Sequence, residues 1–408
     1  MSNFTDDIKE LVKLFLEKVS LERNEHTTGM KAGANHVFYY SDIVLAEITE
    51  RILNEPKLGK LFSRKDVNAT ILEFVGSGFE DRENDEKVIC KIIKWINSDP
   101  IEFTCFIPVH GVEVSNKYKI GDVTLHPFNE KKSILKANLK ADMTSFIETE
   151  SIDKLPFAII KVNSISPDGA IEVAISEVKS TLNILQFLFN TPGSIYQIGT
   201  GKPTQNTGDS QYLALSSTTG IAQQKSRYIP FGIDLSLLST NETEYLQRVS
   251  EIQSDIFNQT KTVPLQNGLF NATTLIGNSL NSEDLTLQLL QLMSAIEALV
   301  EQNTFTQGIT DQVCERTALL LGADYDSRKK IYDKLSDLYK KRSHLTHGNT
   351  ASINYFDIVN LWEIAKNLCF YFDQHYEYFL DSNKNEKKNL KAYVLKLRFE
   401  NDNTKSID

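Results

Sequence analysis

Between Ile331 and Leu345 the chain repeats an apolar residue at Ile331, Leu335, Leu338 and Leu345, and the one vacant place in that 4,3,4,3 spacing is filled by Arg342. Such spacing predicts a helix, opening near Ser327-Arg328-Lys329-Lys330, whose apolar stripe packs on a neighbour. A cation on that stripe needs an anionic partner or an anionic ligand. Gly348 is a favourable C-terminal stop. Five residues at about 100° each put His347 roughly 140° around a regular helix from Arg342, so the two meet only if the last turn unwinds. Gly348 readily adopts positive φ and would allow it. The helix dipole then favours a protonated His347 while Arg342 opposes it.

Arg342, Ser343 and His347 lie inside Tyr-Lys-Lys-Arg-Ser-His-Leu-Thr-His-Gly. Upstream come an apolar helix over Leu285 to Leu299 and the segment Cys314 to Gly322; downstream comes a long aromatic helix. In this order the pattern resembles the Apea-like HEPN domains over roughly residues 280–380, helical modules that cut or bind RNA. The resemblance implies metal-independent transesterification, in which a ribose 2′-OH attacks the adjacent phosphate and leaves a 2′,3′-cyclic phosphate and a 5′-OH. His347 would move the proton near neutral pH. Arg342 would donate to the phosphorane oxygens, with Ser343 as an extra donor. The resemblance also implies a two-fold dimer sharing one cleft, and an acidic residue that pairs with the signature Arg. Glu297, beside the stripe Leu285, Leu289, Leu292, Ile296, Leu299, is either that residue or an ordinary solvated glutamate.

The chain carries a formal net charge of −10. RNA binding must therefore come from a local patch. Arg328, Lys330, Lys340, Lys341 and His344 are the candidate RNA contacts, within a basic helix diluted by Asp326, Asp333 and Asp337. Arg316 reads as an interhelical salt-bridge partner and His375 as aromatic packing. Four scattered cysteines with no C-x-x-C pair argue against a zinc knuckle or disulfides. No cofactor or metal is called for. The N-terminus lacks a secretory pattern and no apolar run spans a membrane, so a soluble, cytoplasmic protein is expected.

The expected fold class is α+β: a mixed α/β module over 1–275, a HEPN helical domain over 280–382, and a tail over 383–408. Helices are expected from Thr5 to about Val19, Ser41-Asp42 to Leu53, Glu86 to Asn97 and Ile171 to Phe189. Strands are expected over Glu102 to Val109, Tyr118 to Leu125, Phe157 to Val162, Ser194 to Ile198 and Tyr212 to Leu215, with a turn at Pro167-Asp168-Gly169. Gly199-Thr200-Gly201-Lys202 lacks phosphate-loop spacing and reads as a polar loop. Thr204 to Ser210 and Ser216 to Gln224 read as loops, and Asn267 to Asn281 as a polar bridge at the domain boundary. The tail after Leu380 holds one short helix or strand. The functional expectation that the HEPN resemblance implies is an endoribonuclease of prokaryotic antiviral defence by abortive infection, a toxin whose N-terminal module restrains it or senses a phage-derived trigger. Its partners would be RNA, tRNA among the candidates, and a second copy. The alternative is a non-catalytic HEPN module that binds RNA or a nucleotide, or only dimerises.

Overall fold

The computed structural model describes residues 2–20, 28–32, 35–39, 42–55, 58–59, 61–80, 83–130, 133–134, 155–194, 198–200, 211–215, 222–226, 232–300, 309–346, 352–380 and 386–400. Its class is α+β with a helical C-terminal region. Two compact units divide the chain, residues 1–106 with 159–176, and residues 107–158 with 177–408.

In the first unit lie α1 (Ser2–Leu16), α2 (Asp42–Leu53), α3 (Arg64–Glu80) and α4 (Asp85–Ile96), with a small sheet in the order β1 (Val19–Ser20), β3 (Asn35–Tyr39), β2 (Thr28–Ala32). Ile8, Val12 and Phe15 of α1, Ile48 and Ile52 of α2, Ile71 of α3 and Ile92 of α4 recur at helical spacing and are fully buried in one core. α1 stops short of the expected Val19 because Val19 and Ser20 pair with Tyr39 and Phe38 as a strand. α3 was not anticipated. Asn84 starts α4 by accepting from the Lys87 amide at 3.0 Å.

β4 (Ile101–His110) and β8 (Phe157–Ser164) belong to a sheet of order β6 (Tyr118–Ile120), β7 (Val123–His126), β8, β4, β9 (Gly199–Thr200). β5 (Val112–Glu113) pairs in parallel with β12 (Ile233–Asp234). β10 (Gln211–Leu215) and β11 (Ala222–Ser226) form an antiparallel pair. Residues 222–224, expected as loop, are thus strand: polar side chains do not prevent a ladder whose hydrogen bonds are all backbone. Residues 204–210 and 195–197 lie outside the described residues.

α5 (Pro167–Phe189) begins where a turn was expected. Ser166 Oγ accepts from the Gly169 amide at 3.0 Å, and Pro167 takes the first helical position, where no amide hydrogen is needed. α6 (Thr240–Phe257) is opened by a capping box of Ser239 and Glu242. α7 (Pro264–Ser279) occupies the expected polar bridge. Its buried face is Leu269, Ala272, Thr273 and Ile276, and a Cβ on Gly277 would lie 1.9 Å from the carbonyl oxygen of Asn183 in α5. Small residues here admit close backbone approach, which a reading of polarity takes for a linker.

α8 (Leu285–Val300) packs along α7, and then come α9 (Ile309–Leu321), α10 (Tyr325–Thr346), α11 (Tyr355–Gln374), α12 (Tyr376–Phe379) and α13 (Glu386–Glu400). Leu289, Leu292 and Ile296 of α8, Leu335 and Leu338 of α10, and Leu361, Ala365 and Leu368 of α11 are buried. α13 is part of the fold: Leu390 and Val394 are buried. No helix among the described residues is long and apolar enough to cross a membrane.

Candidate functional site

α10 starts from a reciprocal cap in which Asp324 Oδ1 accepts from the Ser327 amide at 2.8 Å and the Asp324 amide donates to Ser327 Oγ at 3.0 Å. The hydrogen bond from the Ser327 amide draws the Asp324 carboxyl below its usual range. From there the stripe runs inward. Leu335 is fully buried, Leu338 and Tyr339 nearly so, while Ile331 and Leu345 at the stripe's two ends are half-buried.

Arg342, on the same stripe, meets an acid. Its Nη1 donates to Glu297 Oε1 of α8 in an ion pair whose side chains are 27% and 18% exposed, Arg342 first. Tyr339 Oη donates to the same oxygen at 2.9 Å, and the Arg342 guanidinium carbon stands 5.8 Å from the Tyr339 ring centre. Burial, followed by the Glu297 charge and hydrogen bond, pushes the Tyr339 phenol well above its ordinary range, so it stays a donor. Of the two readings of Glu297 the structure selects the one in which it pairs with Arg342. Tyr339 is the member of this cluster the sequence reading missed. Its position three residues before Arg342, on the same helix face, was the available signal.

Ser343 and His344 are exposed. His347 and Gly348 lie outside the described residues, so the expected unwinding of the last turn does too; Thr346 is the last residue of α10.

The basic residues divide. Lys330 is exposed on α10. Lys340 is exposed and bonded to Asp337 at 2.9 Å. Arg328 Nε donates to the Gly322 carbonyl at 2.9 Å, satisfying the C-terminal end of α9. Lys341, 31% exposed, is also drawn to Asp357 of α11 at 2.6 Å, so a cation expected at the RNA surface ties two helices as well. Arg316 likewise closes a helix end, since its Nη1 donates to the carbonyl of Val300, the last residue of α8, at 2.7 Å. A guanidinium at a helix C-terminus is favoured by the dipole and by the unpaired carbonyls there. His375 packs as expected, stacked on Tyr371 with ring centres 4.2 Å apart. Cys105, Cys314 and Cys369 are buried and Cys90 is exposed. Among the described residues no three or more His, Cys, Asp or Glu side chains converge as a metal site would require.

No protein-family model, no curated protein and no solved structure matches this chain.

Proposed function

We propose that the helical region is a HEPN-type endoribonuclease that cuts RNA by metal-independent transesterification. The observation that carries the proposal is the seating of Arg342 on Glu297 beside the exposed Ser343 and His344, five positions before His347. A guanidinium that is held by a carboxylate and still part-exposed has its orientation fixed at low entropic cost and remains within reach of a phosphate. In the reaction His347 accepts the proton of the ribose 2′-OH as that oxygen bonds to phosphorus. Arg342 donates to the phosphorane oxygens as their charge grows. The bond to the 5′-oxygen breaks, and an imidazolium, most simply the second copy's, returns a proton to the leaving oxygen. One cleft would thus take an Arg342 and a His347 from each subunit of a two-fold dimer.

The biological reading that goes with this chemistry is abortive-infection defence, with the remainder of the chain restraining the nuclease or sensing a trigger. A second reading is a non-catalytic HEPN module that binds RNA or a nucleotide. The observation that favours it is the same ion pair: a cation already neutralised by Glu297 and braced by Tyr339 satisfies a purely structural role. The deciding experiment is an RNA cleavage assay in excess EDTA with the wild type, R342A and H347A, followed by analysis of the product ends. Cleavage that persists in EDTA, yields cyclic phosphate ends and is lost in both variants supports the enzyme. No cleavage under any trigger supports the binding module.

A further inference from the structure

We propose that the cavity between the end of α9 and the last turns of α11 binds an adenine nucleotide, its base stacked on Tyr371 and its phosphate on Arg328. That the nucleotide belongs to a substrate RNA rests on the nuclease reading; the site itself does not.

The cavity has a volume of about 440 Å³, within the range of small-molecule sites. One wall is the C-terminal end of α9, where the carbonyls of Leu320 and Leu321 have no backbone partner among the described residues. The other wall is a single stripe of α11, since Asn367, Phe370, Tyr371 and Gln374 recur at helical spacing and share one face. Tyr371 is a fixed platform. His375 stacks on it with ring centres 4.2 Å apart, and its hydroxyl donates to Tyr393 Oη of α13 at 2.7 Å. A flat ring entering the cavity stacks on the face that His375 leaves. Asn367 and Gln374 are exposed, one on each side of Tyr371 along the stripe, and neither carboxamide is hydrogen-bonded among the described residues.

These groups select adenine. A carboxamide pairs with adenine at N6 and N7, accepting one hydrogen bond and donating the other. The unpaired carbonyls of α9 add acceptors for the N6 amino group, and the negative end of the helix dipole repels the O6 that guanine carries in its place. Arg328 supplies the partner for phosphate. Its Nε donates to the Gly322 carbonyl at 2.9 Å, and its stem lies so close to Gly322 that a Cβ there would strike Arg328 Cγ. Its two Nη groups are thereby oriented at the edge of the cavity, and among the described residues they make no hydrogen bond. Asp324, whose carboxyl feels the Arg328 charge, is already bonded to the Ser327 amide at 2.8 Å. A guanidinium fixed in this way offers phosphate a fork of donors. Arg342 lies about 21 Å further along α10, so in an RNA the bound adenine is several nucleotides from the scissile bond.

Calorimetric titration of the full-length protein with AMP, GMP, UMP and adenosine tests the site. We expect AMP to bind about tenfold or more tightly than GMP or UMP, and the double variant N367L/Q374L to weaken AMP by about 5- to 100-fold. R328M should bind AMP no better than adenosine. The two carboxamides are on the surface, so N367L/Q374L remains informative if R328M does not fold. AMP that fails to bind at concentrations up to about 1 mM, or binds N367L/Q374L as it binds the wild type, overturns the site. GMP binding as tight as that of AMP overturns the selection of adenine. The source of the nucleotide is read from cleavage of an RNA of mixed sequence. Cuts at a fixed offset from adenine that N367L/Q374L loses assign the nucleotide to the substrate, whereas AMP binding with cuts indifferent to adenine assigns it to a free nucleotide. AMP binding by a wild type that cuts no RNA upholds the site and removes the nuclease reading instead.

Discussion

The guanidinium of Arg342 and the carboxylate of Glu297 form an ion pair between α10 and α8, and a second donor, the Tyr339 hydroxyl, is bonded to the same carboxylate oxygen. Removing either charge leaves the other part-buried and short of its partner. Urea unfolding should show R342A and E297A each less stable by about 1–3 kcal/mol, with the double variant losing clearly less than the sum. Strict additivity would mean that the two side chains do not interact in solution.

His344 is exposed, whereas Arg342 is bridged to α8. If the helical region is the proposed ribonuclease, H344A should keep RNA cleavage within a few-fold of wild type, whereas H347A should lose about 10²–10⁴-fold. The reverse ranking in a single-turnover assay would place the proton carrier at 344. Mixing R342A subunits into wild type should lower activity beyond simple dilution if the cleft is shared.

Alkaline pH should unfold this protein early. Tyr339, Tyr245 and Tyr371 all have phenol pKa values raised, in each case chiefly by burial. For such groups the unfolded state loses its protons first, near pH 10. Their contribution is thus complete below about pH 10 and is lost as the pH rises from there toward the folded-state values. Y339F should lessen the fall in melting temperature between about pH 9 and 11. An identical fall in wild type and Y339F would exclude Tyr339 as a contributor.

How much of this was legible follows from which interactions are local. The stripe on α10, the stripe on α8 and the strand alternation around Glu102 to Val109 are periodic in sequence and correspond to α10, α8 and β4. The pairing of Glu297 with Arg342 was legible only as an alternative, because the partners are 45 residues apart and a surface glutamate has the same neighbours in sequence. Lys341 shows the converse case. In sequence it is one more cation in a basic run; its acid, Asp357, belongs to the next helix, and nothing local distinguishes a lysine facing that helix from one facing solvent. α7 was hidden for another reason. Gly268, Ala272, Thr273 and Gly277 look like linker chemistry until a second backbone lies against them.

That packing changes what a truncation can do. A fragment beginning at Ser282 deletes α7 and so uncovers the face of α8 that lies along it. It should aggregate or melt well below a fragment that begins at Ser239 and keeps α6 and α7, as followed by size exclusion and thermal unfolding. Equal behaviour of the two fragments would show that α8 to α11 hold together without α7.

Gly277 offers the sharpest steric test. A methyl group there would meet the Asn183 carbonyl at 1.9 Å, a contact with backbone that no rotamer can relieve. G277A should cost about 1–3 kcal/mol in chemical denaturation. A neutral G277A would require α5 and α7 to stand further apart than they do.

The interleaving of the two units imposes an order of events on a chain emerging from the ribosome. Residues 1–106 leave the exit tunnel without their closing segment, because 159–176 follows only after all of 107–158 has been made. At about 5–20 residues per second that is a wait on the order of seconds. Throughout it the carbonyl of Leu61 lacks the Ser164 hydroxyl and Ile165 amide that later bond to it at 2.8 and 3.3 Å. The nascent first unit is therefore an unfinished body with an open flank, the stage of its life at which a chaperone has most to hold.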